Sequence, residues 1–171
     1  MKKLVFVLTT VFTLTAATGW AQKQKSIVDI AVGNDNFTTL VAALQAADLV
    51  GALQGDGPFT VFAPTNAAFA KIDSKTLNSL LEPKNKGTLT SILTYHVVAA
   101  NLKSADVANA LKAGNGKTTV KTLSGENLTV VQKKGKIWLK DANGNYSEII
   151  TTDIEASNGV IHVIGDVVMP K

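Results

Sequence analysis

Apolar residues between positions 26 and 95 recur at three- and four-residue intervals, whereas from Thr118 onward β-branched residues gather in short runs between Gly and Asn turns. This pattern divides the chain into a helical first half and a strand-rich second half. Ser26 caps a short helix carrying Ile27, Val28, Ile30 and Ala31, with Asp29 in its first turn, until Gly33-Asn34-Asp35-Asn36 breaks it. Phe37, Leu40, Val41, Leu44 and Ala47 return at helical spacing and predict a helix with one stripe turned inward, which Gly51, Gly55 and Gly57-Pro58 are expected to end. Phe59 to Ala63 reads as a buried strand stopped by Pro64, and Thr65 or Asn66 caps a short helix through Ala67, Ala68 and Phe69. Leu77, Leu80 and Leu81 predict another helix, and Leu89, Ile92 and Leu93 one more, running toward Tyr95.

Thr118 to Leu123 and Leu128 to Gln132 read as strands, and Lys133-Lys134-Gly135 turns the second into Lys136 to Lys140. Asp141 to Asn145 turns again into Tyr146 to Thr151, and a last strand from Val160 to Ile164 runs on to Val168. Such short connections imply antiparallel pairing and an α+β fold. The lysines around Lys133 to Lys140 are expected to discourage edge pairing, and Ala113 to Lys117 reads as a mobile loop.

At the N-terminus, Lys2 and Lys3 precede an apolar and threonine run from Leu4 to Ala17, and Gly19-Trp20-Ala21 supplies small residues around a cleavage point. Residues 1–21 are therefore expected to be a secretory signal peptide, cut after Ala21, leaving residues 22–171 as a single domain that is secreted, to the periplasm or beyond. A charge-first leader without cysteine suits a bacterial source. No later run is apolar for long enough to cross a bilayer. With no cysteine in the chain, neither a disulfide framework nor a lipid-anchoring thiol is available.

The formal charge of +4 includes the two leader lysines, so residues 22–171 carry 15 lysines against 13 acidic groups, or +2. That balance, and the absence of arginine for bidentate phosphate or guanine contacts, argues against a nucleic-acid partner. Two histidines, His96 and His162, stand without a nearby nucleophile motif or a helical metal-ligand pair, so both read as hydrogen-bonded framework residues, and no metal or cofactor is expected. Gly114-Asn115-Gly116-Lys117-Thr118 imitates the end of a phosphate-binding loop, but Leu111 replaces its first glycine and a strand follows where a helix is needed. Asp141-Ala142-Asn143-Gly144-Asn145 imitates a calcium loop whose bidentate Glu position is filled by Thr152, and it reads as a hairpin turn.

Three motifs carry a resemblance. Phe59-Thr60-Val61-Phe62-Ala63-Pro64-Thr65-Asn66-Ala67-Ala68-Phe69, Tyr95-His96-Val97-Val98, and Asn158-Gly159-Val160-Ile161-His162-Val163-Ile164-Gly165-Asp166-Val167-Val168-Met169-Pro170 resemble the two signature motifs and the Tyr-His motif of the fasciclin (FAS1) domain family. The resemblance spans roughly Ser26 to Pro170 and implies antiparallel strands in a wedge-shaped arrangement with several short helices packed against it. It departs at Gly165, where such domains commonly place Asp, and at Ala99-Ala100, which stand for the frequent Pro-Gly and imply a looser turn.

The family mostly adheres rather than catalyses. The resemblance therefore implies a non-enzymatic, monomeric protein that binds a cell-surface or matrix protein or polysaccharide. It points to Thr65, Asn66, Tyr95 and His96 as an exposed or half-exposed binding set, with Phe62, Pro64 and His162 as framework. The alternative reading is an envelope carrier that holds a small apolar ligand between helices and sheet, motivated by the 46% hydrophobic composition.

Overall fold

The computed structural model describes residues 24–171, so the leader expected over residues 1–21 lies outside the described residues. In chain order the elements are α1 (Ile27–Val32), α2 (Thr38–Ala46), α3 (Val50–Gln54), β1 (Phe59–Pro64), α4 (Asn66–Phe69), α5 (Ser74–Leu80), α6 (Lys86–Tyr95), β2 (Val97–Val98), α7 (Ser104–Ala113), β3 (Lys117–Lys121), β4 (Asn127–Lys133), β5 (Lys136–Lys140), β6 (Tyr146–Ala156) and β7 (Gly159–Ile164). The α+β class is as expected.

The strands form one seven-stranded sheet in the order β2-β1-β7-β6-β5-β4-β3. Pairing is antiparallel as expected, except that β1 and β7 run parallel with Phe62 beside His162 and Pro64 beside Ile164. A parallel pair covered on both faces needs unbroken apolar sequence, and these two strands supply it. Along β1, Val61 and Ala63 face one core with Ile161 and Val163 of β7, while Phe62 and Ile164 face a second.

The first core packs α1, α2, α3 and α6 on the sheet around Phe37, Leu40 and Leu93. The second lies between β1–β7 and β3–β5, where Leu128, Val130 and Leu139 meet Tyr95, Val107 and Leu111. The sheet changes direction in β6. Residues 146–148 pair with β5 and residues from Ile149 pair with β7, with register shifts between Ile149 and Thr151 and between Thr151 and Ile154 that bend the strand.

Several boundaries differ from the sequence reading. Gly51 lies inside α3 instead of ending the helical stretch, and β6 continues five residues past Thr151 to Ala156. The last strand stops at Ile164. The helix α7 was not foreseen: Val107 and Leu111 are its buried i,i+4 pair, and the Asp106 carboxylate accepts the Lys103 amide at 3.2 Å to fasten its first turn. In place of the expected mobile loop, its C-terminus closes in a hydrogen-bonded turn, with Asn115 and Gly116 at positive φ and the Gly116 amide donating to Leu111 at 2.7 Å. The edge strands are β2 and β3, so Lys133 to Lys140 flank interior strands, and Lys117 and Lys121 are the lysines that guard an edge. The Lys133–Lys136 hairpin is as expected, with Lys134 and Gly135 both at positive φ.

Candidate functional site

The three motifs converge on Phe62. Its amide donates to the His96 carbonyl at 2.9 Å, and its ring stacks on His162 with centroids 5.7 Å apart and planes at 30°. Both rings are fully buried. Pro64 ends β1 opposite Ile164, and the Thr65 hydroxyl accepts the Ala68 amide at 3.2 Å, so Thr65 is the cap that starts α4.

Each histidine is wired to backbone. His96 terminates α6, its Nδ1–H donating to the Ile92 carbonyl at 2.8 Å while Nε2 accepts the Val168 amide at 3.2 Å. Burial drives its pKa down to about 4, against the small upward pull of the Ile92 carbonyl, so the ring is neutral at physiological pH. His162 takes the opposite tautomer: Nε2–H donates to the Leu102 carbonyl at 2.7 Å and Nδ1 accepts the Asp153 amide at 3.3 Å. Tyr95 is completely buried, with its hydroxyl donating to the Asn127 carbonyl at 3.2 Å, and burial pushes its pKa upward, aided by the charge of Asp141.

The expectation that Tyr95 and His96 are exposed is therefore not met. Their side chains point into the junction between α6, the sheet and the C-terminal segment, and because burial removes water, each is paired with backbone there: Tyr95 with Asn127, His96 with Ile92 and Val168. Thr65 and Asn66 are half-buried. Asn66 clasps the turn before α2, its Nδ2 donating to the Asp35 carbonyl at 2.8 Å and to Thr38 Oγ1 at 2.9 Å while Oδ1 accepts the Thr39 amide at 3.0 Å. The four candidates thus serve two separate joints.

A constellation that the sequence reading missed lies near His162. Ser104 Oγ donates to Asp153 Oδ2, and Asp153, at φ 59° in the bend of β6, gives its amide to His162. Burial works to raise the Asp153 pKa, but the Ser104 hydroxyl and amide outweigh it and hold the carboxyl below its usual value. Serine, aspartate and histidine meet here, but both ring nitrogens of His162 are engaged on backbone groups and the hydroxyl is given to the Asp153 carboxylate, so the imidazole does not address the serine as it would in a nucleophilic triad. The adjoining void, lined by Phe62, Ser104 and His162, holds about 10 Å³. Ser104 stands 49 positions before Asp153, and His162 lies on the next strand nine positions after it, so no local pattern could have joined the three.

Asp141, the first residue of the calcium-loop lookalike, is saturated: Oδ1 accepts the amides of Asn143 and Asn145, and Oδ2 accepts Asn145 Nδ2 and the Met169 amide. Among the described residues no three acidic or histidine side chains gather to hold a metal, and no buried side-chain polar atom lacks a partner. The apolar void between α1, α2 and the sheet, bounded by Phe37, Leu44, Phe62 and His96, holds about 20 Å³. Small-molecule sites occupy about 300–1,000 Å³, so this void has no room for the ligand of a carrier. The turn at Ala99-Ala100 is fastened by Thr60, whose hydroxyl donates to the Ala100 carbonyl at 2.6 Å and accepts the Leu102 amide at 2.8 Å. Asp166, displaced one place by Gly165, pairs with Lys71 at 2.6 Å.

Residues 35–170 match the Fasciclin domain family. The chain belongs to that family. It is 49% identical over 145 residues to Protein sll1483 of Synechocystis, which covers 85% of this chain and 73% of that protein. It is 31% identical over 152 residues to the cell surface glycolipoprotein MPB83 of Mycobacterium bovis, covering 86% of this chain and 61% of the relative. Its fold resembles the FAS1 domain pair of the insect cell adhesion molecule fasciclin I, with a TM-score of 0.56 and 18% identity over 76% of this chain and 43% of that one. The fasciclin fold and the α+β reading are thus established together. No helix among the described residues is long and apolar enough to cross a membrane.

Proposed function

We propose that this fasciclin domain is a non-catalytic attachment module, exported by its leader and acting as a monomer in the periplasm or outside the cell, that binds a surface or matrix macromolecule. The observation that carries this reading is the wiring of the motif histidines: both ring nitrogens of each are spent on backbone groups, leaving an architecture suited to a rigid surface. Membership of a family that includes an insect cell adhesion molecule supports it. In this reading Thr65 and Asn66 contribute contacts, while Tyr95 and His96 act from beneath by fixing the end of α6, Tyr95 against the start of β4 and His96 against the C-terminal segment.

The test is retention of macromolecules from the surface and matrix fraction of the producing organism on immobilised folded protein, with unfolded protein as control. Selective retention by the folded form is expected; equal retention by both removes the proposal. A Tyr95→Phe, His96→Gln double variant, used where circular dichroism reports it folded, separates contact from support. Undiminished retention assigns both residues to the framework.

A further inference from the structure

β3, β4, β5 and the start of β6 turn Leu128, Val130, Leu139 and Ser147 inward, so the intervening residues form a second face of the sheet. None of the residues on that face is buried. Register decides what meets there. Lys117 lies beside Val131, Val131 beside Trp138, and Trp138 beside Glu148. Lys140 lies beside Tyr146 in the next row, and Lys133 pairs with Lys136 at one end, while Lys121 occupies the other.

Five lysines therefore share this face with a single acid, Glu148, which Lys136 holds at 2.5 Å. The described residues contain 14 lysines and 13 acidic groups, a net +1, whereas this face alone carries five lysines against one acid, a net +4. Sequence spacing hides this, because the lysines come from three strands and meet only through pairing. Trp138 sits among them, two residues from Lys136 and two from Lys140 on the same side of β5, or about 7 Å along the strand in each direction. The Lys133 ammonium already lies 3.5 Å from the centroid of the Tyr146 ring, and that of Lys140 5.7 Å, so aromatic faces and cations are interleaved.

We infer that this face binds an acidic polysaccharide, a sugar chain bearing carboxylates, laid over Trp138 with its anions on Lys117, Lys121, Lys133 and Lys140. The inference rests on the attachment-module reading and goes beyond it by assigning a partner class and a surface made of residues other than Thr65 and Asn66. Charge complementarity selects a polyanion. Flexible ammonium groups suit the scattered carboxylates of a sugar polymer, whereas phosphate and base readout favours arginine, of which the chain has none. A lipid surface would call for an apolar edge to insert, and here the rings lie among lysines within a flat sheet.

The experiment is binding of sodium alginate to the purified protein by biolayer interferometry, with neutral dextran as control, at low and high salt. The variant Lys117→Gln, Lys121→Gln, Lys140→Gln is compared with Lys25→Gln, Lys75→Gln, Lys112→Gln, which removes equal charge elsewhere. The face variant is expected to weaken alginate binding by about tenfold and the control by less than about twofold, with screening by salt weakening the wild type strongly. Trp138→Thr, which keeps every charge, is expected to weaken it by about fivefold. Absence of alginate binding, equal loss in both lysine variants, or preferential binding of phosphatidylglycerol vesicles or single-stranded DNA through the same lysines overturns the inference. If alginate fails while surface-fraction components are still retained selectively, the attachment reading stands and only this face and its partner are withdrawn.

Discussion

His162 stacks on Phe62 across the parallel β1–β7 pair, and through this contact the first and last motifs of the chain become one structural unit. The imidazole also ties the segment before α7 to the bend of β6, donating to the Leu102 carbonyl and accepting the Asp153 amide. His162→Phe keeps an aromatic ring on Phe62 and leaves both backbone groups without partners. The expected cost is about 2–3 kcal/mol, read as a lower urea midpoint at unchanged slope. A midpoint equal to wild type would reduce His162 to a space filler.

The second histidine sets a pH window. His96 is neutral in the fold with its pKa depressed by burial to about 4, against an ordinary imidazole value of 6.5. The unfolded chain therefore binds the proton more readily, and the stabilisation present above pH about 6.5 is lost as pH falls toward about 4. The total is on the order of 3 kcal/mol for a fully buried ring. The Asp153 carboxyl, also held below its usual value, adds a further loss only at lower pH. Urea midpoints measured across the window should fall for the wild type and stay flat for His96→Gln; parallel curves would refute the assignment.

Gly159 opens β7 where β1 approaches most closely. Its φ of 157° already disfavours an L side chain, but it is not the strongest demand for glycine. Close approach is: a Cβ here would stand 1.9 Å from the Phe59 carbonyl oxygen. Gly159→Ala must push the parallel strands apart at their first pair and is expected to cost about 3 kcal/mol or more. Thermal unfolding of Gly87→Ala, at an exposed position with no neighbour within 4 Å, provides the contrast and should change little.

Hydrogen exchange distinguishes a mobile loop from a closed turn after α7. The amides of Gly114, Gly116 and Lys117 donate to Ala110, Leu111 and Gly114. Protection at Gly116 comparable with that of interior α7 amides is expected. Exchange there at the rate of an unstructured chain would restore the loop reading.

Elements with a local signal were legible in the sequence, and those whose signal is shared between distant segments were not. The Ser26 cap, the α2 stripe, the Lys134-Gly135 turn and the apolar β1 and β7 follow from side-chain chemistry within a few residues, and they are found. The three motifs likewise sufficed for the family. The helix α7 escaped because only Val107 and Leu111 face its core in a run otherwise rich in small and polar residues. The second half of β6 escaped because its bulges break the alternation by which a strand is recognised.

For the site, the sequence by itself determined which residue types were available: two histidines, no cysteine, no arginine, and a near balance of lysines and acids. Tertiary structure decided their use. Burial turned Tyr95 and His96 from candidate contacts into internal struts, because a polar group removed from water must spend its hydrogen bonds on the nearest backbone. Strand pairing gathered lysines from β3, β4 and β5 around Trp138, because register, and not sequence spacing, fixes which side chains share a face.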